Sequence, residues 1–292
     1  IRTLRIFLAA ARLGSFAAAG EAVGLTAAAV GQQMRALESE LGQRLFDRHG
    51  RSVVLSPAGR QRVPAVQDLV QRYELLAADS DTDELSGTLV MGALVSALMG
   101  AFADALWQLR RDSPRLEVKL FAGQSADFAL RVGRGELDAA IVTQSPRPLP
   151  ARLLWTPLYT EPMVLIAPTR SRMPMPEEPL EMLARSPFLR FDRQTWTGHL
   201  VESVLRQAGV RVREGMELNS VEATIALVQQ GFGVSIVPRL AHVDWGRQSR
   251  LRVIELPGIA VSRRVGLLEL RDHGRGRATA ALKDYFRRRS PG

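Results

Sequence analysis

Apolar positions recur along the first forty residues with the period of helices, interrupted twice by short turn signals. Leu4, Phe7, Leu8 and Ala11 share one face of an opening amphipathic helix. A second helix is expected from about Phe16 to Val23, with Ser15 placed to cap its free amides. Gly24 suits the left-handed conformation that stops a helix, Leu25 can tuck into the core, and Thr26 can cap a third helix. In that third helix Val30, Met34, Leu37 and Leu41 follow at spacings of four, three and four, one buried stripe. Its other face carries Ala27, Ala28, Gly31, Gln32 and Arg35, with Thr26 at its start. Small residues there let a backbone approach a duplex closely, while Gln32, Gln33 and Arg35 can reach base edges or phosphates. A helical hairpin packed in an ordinary core would show the same periodicity.

The next segment changes period. Leu45 to Leu55 holds two short apolar runs around Gly50, the pattern of a small β-wing whose tip carries Arg48 and Arg51. Such cations suit phosphate or minor-groove contact, although Arg48 could instead pair with Glu38 or Glu40. Ser56-Pro57 then reads as a cap followed by proline at the first helical position. The helix this opens is expected to reach about Leu85, with Val66, Leu69, Val70, Tyr73 and Leu76 spaced as a seam for a partner helix. Packing against its own domain would produce the same stripe. Pro64 is expected to kink this helix or shorten its regular part. Ser86-Gly87 breaks it and marks a domain boundary.

Beyond that point strands alternate with helices. Strands are expected at Leu89–Ala93, Leu116–Phe121, Asp138–Val142, Met163–Ala167, Phe188–Phe191 and Gly233–Pro238. Helices are expected from a Ser96 cap to about Arg111, from Phe128 to Gly135, and from Gly198 and Val221 onward. Such alternation means an α/β layered sheet.

Several runs then carry a likeness. Gly14-Ser15-Phe16, Ala29-Val30, Gln33 to Glu38, Leu41-Gly42, Leu45 to Arg48 and Leu55 to Gly59 together resemble the winged helix-turn-helix of LysR-type transcriptional regulators. Gly135 to Ile141 and Val228 to Pro238 resemble the regulatory half of the same family, in the same order. The resemblance implies a winged helix-turn-helix DNA-binding domain at 1–58, a linker and dimerisation helix at 59–86, and an effector-binding α/β domain at 87–292. That last part would resemble a periplasmic binding protein, with one subdomain at 87–161 and 267–292 and another at 162–266. It further implies sequence-specific binding to double-stranded promoter DNA, control by a small-molecule effector, and a homodimer or homotetramer. The pattern departs from the family's usual one at Gly20, Gly31, Ala27 and Ala28. Glycine in a helix interior costs about 1 kcal/mol relative to alanine.

Charge agrees with a polyanionic partner: 39 Lys and Arg oppose 30 Asp and Glu, a net +9. Lysine occurs only at Lys119 and Lys283, so the excess is arginine, which pairs bidentately with phosphate and guanine. The chain has no cysteine, hence no disulfide, thiolate metal site or cysteine nucleophile, a composition that fits a reducing cytoplasm. No apolar run approaches the roughly 20 residues of a membrane span. The opening Ile1-Arg2-Thr3-Leu4 reads as amphipathic helix and not as a signal peptide, and the missing initiator methionine as a trimmed start. His49, His199, His242 and His273 are scattered, and the sequence holds no zinc-type pair, nucleophile elbow or phosphate loop, so neither an enzyme nor a bound cofactor or metal is expected.

Ligands of such sheets sit outside strand C-terminal ends, near helix N-termini. Ser96, Thr143, Gln144, Thr195, Trp196, Thr197 and Gly198 occupy such places and are the candidate effector contacts. Their uncharged polar groups point towards an organic anion. Each also fits a plain cap or turn, and Trp196 could either stack on a planar effector or cover a rim.

Overall fold

The computed structural model describes residues 1–49, 52–77, 85–171, 173–241, 245 and 250–289, without the side chains of 48, 49, 71, 72 and 74–77. Two compact units divide the chain: Ile1–Asp83 with Arg134–Glu136 and Asp272–Gly274, and the remainder.

In the first unit, α1 (Arg2–Leu13), α2 (Phe16–Val23) and α3 (Ala27–Leu41) precede a hairpin of β1 (Phe46–His49) and β2 (Ser52–Leu55), then α4 (Pro57–Ala77). The caps explain the boundaries. The Ser15 hydroxyl accepts from the Ala18 amide, the Thr26 hydroxyl accepts from the Ala29 amide, and Gly24 ends α2 at φ 68°. Ser56 does the same for α4, accepting from the Gly59 amide at 2.9 Å. Ile6, Phe7, Val30, Met34, Leu37, Leu45, Phe46 and Val53 form the core, with Phe46 edge-on to both Phe7 and Phe16. Helix α4 runs unbroken through Pro64, so the expected shortening does not occur. Only one backbone donor is lost there, and the turns on either side keep theirs. Gly20 is closely packed: a Cβ on it would stand 2.4 Å from the Leu25 carbonyl oxygen.

The second unit is built on a sheet in the order β10-β6-β11-β5-β3-β4, with β9 also on β6. Its strands are β3 (Gly87–Ala93), β4 (Leu116–Ala122), β5 (Ala139–Thr143), β6 (Leu153–Pro168), β9 (Ser235–Pro238), β10 (Leu251–Ile254) and β11 (Ser262–Leu270). Parallel β4-β3-β5 meets antiparallel β11, which pairs with the first half of β6 as far as Ser262↔Pro162. From Met163 onward β6 pairs instead with β9 and β10, so one long strand serves two halves of the unit. Helices α5 (Val95–Leu98), α6 (Ala101–Asp112) and α11 (Gly276–Arg289) cover one face of the first half, and α7 (Ser125–Gly133) the other. The second half adds α8 (Pro179–Arg185), parallel β7 (Pro187–Phe191) and β8 (Arg213–Leu218), α9 (Trp196–Ala208) and α10 (Val221–Gln229) around its own core.

Where sequence and structure part, the reasons are local. The helix expected from Ser96 to Arg111 is two helices, and Ser96 caps neither. Strand β6 begins ten residues before the expected Met163. Asp138 holds β3 to β5 through reciprocal bonds, its carboxylate accepting from the Val90 amide at 2.7 Å and its own amide donating to the Val90 carbonyl at 2.8 Å.

Candidate functional site: a nucleic-acid face and a ligand cleft

On α3 the apolar stripe faces the core and leaves Ala27, Ala28, Gln32 and Arg35 exposed along the other side. At about 100° per residue these fall on one outward strip, with Thr26 at its head. One residue expected on that strip is covered, and another candidate contact, Gln33, lies off it. Gly31 is buried; a Cβ there would stand 3.7 Å from the Phe16 ring, with Arg35 Nη1 3.9 Å away. By angle it belongs to the strip, between Ala27 and Arg35, but Phe16 of α2 covers it. Gln33 is exposed on the opposite flank and its side-chain oxygen accepts from the Thr3 hydroxyl at 3.0 Å, which ties α3 to α1.

The hairpin pairs Phe46↔Leu55, Asp47↔Val54, Arg48↔Val53 and His49↔Ser52. Gly50 and Arg51 lie outside the described residues, as does the Arg48 side chain. Of the two carboxylates considered for Arg48, Glu38 is committed to the backbone, its Oε1 accepting from the Leu45 and Phe46 amides at 2.7 and 3.1 Å. That bond fixes the base of the hairpin against α3.

On α4 the expected seam divides. Val66 and Val70 are buried in the unit's own core, whereas Leu69 and Tyr73 are 53% and 47% exposed one turn apart. The Leu76 side chain lies outside the described residues.

In the second unit a cleft of about 50 Å³ opens between the two halves, lined by Ser96, Gly123, Gln124, Phe191, Thr197, Asn219, Ser220, Glu222 and Arg263 among others. Its floor holds a feature that the sequence did not reveal. Arg263 and Glu161 are cross-strand partners on β11 and β6, 1% and 2% exposed, joined by Nε to Oε2 at 2.8 Å and by a second bond from Nη2. The other Glu161 oxygen accepts from the Ala241 amide at 2.9 Å, and Arg263 Nη1 donates to the Ser96 hydroxyl at 3.1 Å. Burial pushes the neighbouring Tyr159 phenol far up in pKa, the Glu161 charge adds to this, and Arg263 opposes it. Gln124 Nε2 donates to the Asn219 carbonyl at 2.7 Å, joining the two walls.

Of the expected effector contacts, Ser96 and Thr197 therefore line one cleft. Thr143 is buried with its hydroxyl unpartnered, opposite Val265 and two residues along β11 from Arg263. The others do not line the cleft. Gln144 is exposed and its amide donates to the Arg264 carbonyl. Thr195 caps α9, accepting from the Gly198 amide at 2.9 Å and donating to the Asp192 carbonyl at 2.7 Å. Gly198 is there because a Cβ would stand 1.9 Å from that same Asp192 oxygen. Trp196 is half-buried against the Phe128 and Val142 cluster. Nor is the lining wholly uncharged, since Arg263 and Glu222 both contribute.

Two family models match the chain: a bacterial regulatory helix-turn-helix of the lysR family over residues 1–60, and a LysR substrate binding domain over residues 82–291. A probable RuBisCO transcriptional regulator of Cyanophora paradoxa is 31% identical over 259 residues, 81% of this chain and 75% of that protein. A probable hydrogen peroxide-inducible genes activator of Mycobacterium avium is 27% identical over 282 residues, 94% and 89% of the two chains. Among solved structures, a full-length OxyR variant of Pseudomonas aeruginosa aligns with a TM-score of 0.73 at 23% identity, covering 98% of this chain and 97% of that one. CbnR in complex with its target DNA aligns at 0.57 and 18% identity, over 98% and 99%. The effector binding domain of QuiR with shikimate aligns at 0.58 and 16%, over 70% and 97%.

Proposed function

The chain belongs to the LysR family of transcriptional regulators, and we propose that it reads promoter DNA with the outward strip of α3 and answers to a small molecule held in the cleft. The exposed strip of α3 carries the first half of this reading. Its apolar residues are all on the far side, so Ala27 and Ala28 admit a backbone closely while Gln32 and Arg35 reach beyond them. Arg48 and Arg51 on the hairpin are assigned to phosphate or minor-groove contact, and Thr26 to the helix start. Gly31 and Gln33 support the helix and do not read bases.

In the cleft, Ser96, Thr197 and Arg263 are assigned to the effector; Thr143, buried on β5, is not among the lining residues. Closure of the two halves on a ligand would turn about the point where β6 passes from one sheet half to the other. Leu69 and Tyr73 are the positions assigned to a partner helix of a homodimer or homotetramer. The protein works by binding and not by catalysis, in the cytoplasm where its DNA lies; no helix among the described residues is long and apolar enough to cross a membrane. Oxidant sensing through a thiol is not open to it, because there is no cysteine.

A thermal-shift screen of metabolites, repeated on Ser96→Ala, tests the cleft. A ligand whose stabilisation falls in the variant supports the assignment, and a ligand equally effective on both contradicts it. A gel shift with DNA from beside the protein's own gene separates a regulator from a small-molecule receptor, which would give no specific band.

A further inference from the structure

The charges that line the cleft do not cancel. Arg263 gives Nε and Nη2 to Glu161 and Nη1 to Ser96, and the second Glu161 oxygen takes the Ala241 amide, so the charges of this pair offset each other within the protein. Glu222 is different. It stands in the first turn of α10 on the opposite wall, and no ion pair to it occurs among the described residues. Its Oε2 accepts from the Ser220 hydroxyl at 2.6 Å. Its Oε1 is shielded from solvent and has no hydrogen-bond partner.

A carboxylate oxygen withdrawn from water without a donor is unfavourable, and a ligand that draws the Glu222 side chain round into the cleft and supplies the donor removes the penalty. The N-terminus of α10 offsets part of the charge but leaves that acceptor unfilled. Resting on the reading of this cleft as the effector site, we propose that the effector carries a protonated amine which docks on Glu222. A dicarboxylate would set like charge beside Glu222, and a neutral polyol would leave its charge uncompensated. The opposite wall suits an acceptor on the same ligand. Arg263 has five N–H groups, of which three are bonded within the protein, and Ser96 stands beside it. A volume of about 50 Å³ limits the ligand to a few heavy atoms in this conformation. A small amino acid or amino alcohol has the required chemistry.

Isothermal titration of the full-length protein with two matched pairs tests this: L-alanine against L-lactate, and ethanolamine against ethylene glycol. Each pair differs by an amine in place of a hydroxyl. The amine member is expected to bind about tenfold or more tightly, the range of a charge-assisted hydrogen bond. Glu222→Gln, which keeps an acceptor for Ser220, should abolish that preference, and Glu222→Asp should retain part of it. Equal or tighter binding of the hydroxyl members, no binding by either pair, or a preference that survives in Glu222→Gln overturns the proposal. Thr197→Trp, which fills the cleft, separates the two readings: amine binding that persists in it shows that the cleft is not the site.

Discussion

Arg263 donates through Nη1 to the Ser96 hydroxyl at 3.1 Å, across 167 residues of sequence. The same guanidinium is locked to Glu161 one paired step before the last, Ser262↔Pro162, at which β6 leaves β11 for β9 and β10. One side chain thus touches the cleft wall and the strand crossing together. A ligand that displaces the Ser96 bond acts directly on the place where the two halves join.

Removing one partner of a buried ion pair leaves the other charged and unmatched. Arg263→Met is expected to cost about 3–5 kcal/mol in urea unfolding. Adding Glu161→Gln to that variant should restore a large share of the loss, a strong positive coupling. Strict additivity of the two changes would contradict the pairing.

Two helical glycines should respond oppositely to alanine. At Gly31 the new methyl meets the Phe16 ring at 3.7 Å and Arg35 Nη1 at 3.9 Å, both ordinary contacts, so Gly31→Ala should stabilise by about 1 kcal/mol through helix propensity. At Gly198 the methyl would stand 1.9 Å from the Asp192 carbonyl oxygen, so Gly198→Ala should destabilise. Thermal unfolding of both variants checks the contrast; a stabilised Gly198→Ala would mean that the turn before α9 is not packed as described.

Arg193 is hydrogen-bonded to Glu214 and holds that carboxyl below its ordinary value of 4.5, against an opposing desolvation effect. A folded-state pKa that is depressed gives stability present above the unfolded value and lost as pH falls through the folded one. Wild type should therefore exceed Glu214→Gln slightly at neutral pH, and the gap should close in strong acid. The increment is small because both side chains are well exposed and screened. A gap that widened in acid would reverse the sign of the pairing.

Arginines on phosphate make binding depend on salt, because each contact releases a counterion. Arg51→Gln should weaken specific and random DNA alike and reduce the slope of log K against log salt by about 1. Anisotropy titrations over a range of salt read this directly. An unchanged slope would remove Arg51 from the backbone contacts.

Most of the first unit was legible because its boundaries are set locally. Ser15, Gly24, Thr26 and Ser56 each act within three or four residues of chain, and their caps appear where the spacing puts them. Gln33, weighed for groove contact, falls by the same helical spacing about a quarter-turn beyond Gln32, away from the strip. Gly31 depended on where Phe16 of the neighbouring helix would fall, which periodicity does not say. In the second unit Pro157 and Pro162 hid the first half of β6, and β8 is exposed along nearly its whole length, so neither showed a clear alternation. Arg263 and Glu161 were out of reach for another reason. Each looks like a surface charge until its partner, 102 residues away, is placed opposite it. Glu222 reads from sequence as a favourable acid in a first helical turn, and only the enclosed Oε1 distinguishes it.

Footprinting on DNA from beside the protein's own gene, at physiological salt, puts the assignment of α3 to its plainest trial. Wild type should protect a defined site, and Gln32→Ala with Arg35→Ala should lose that protection while keeping its thermal stability and its affinity for random DNA. A protected site that is unchanged in the double variant would contradict the account.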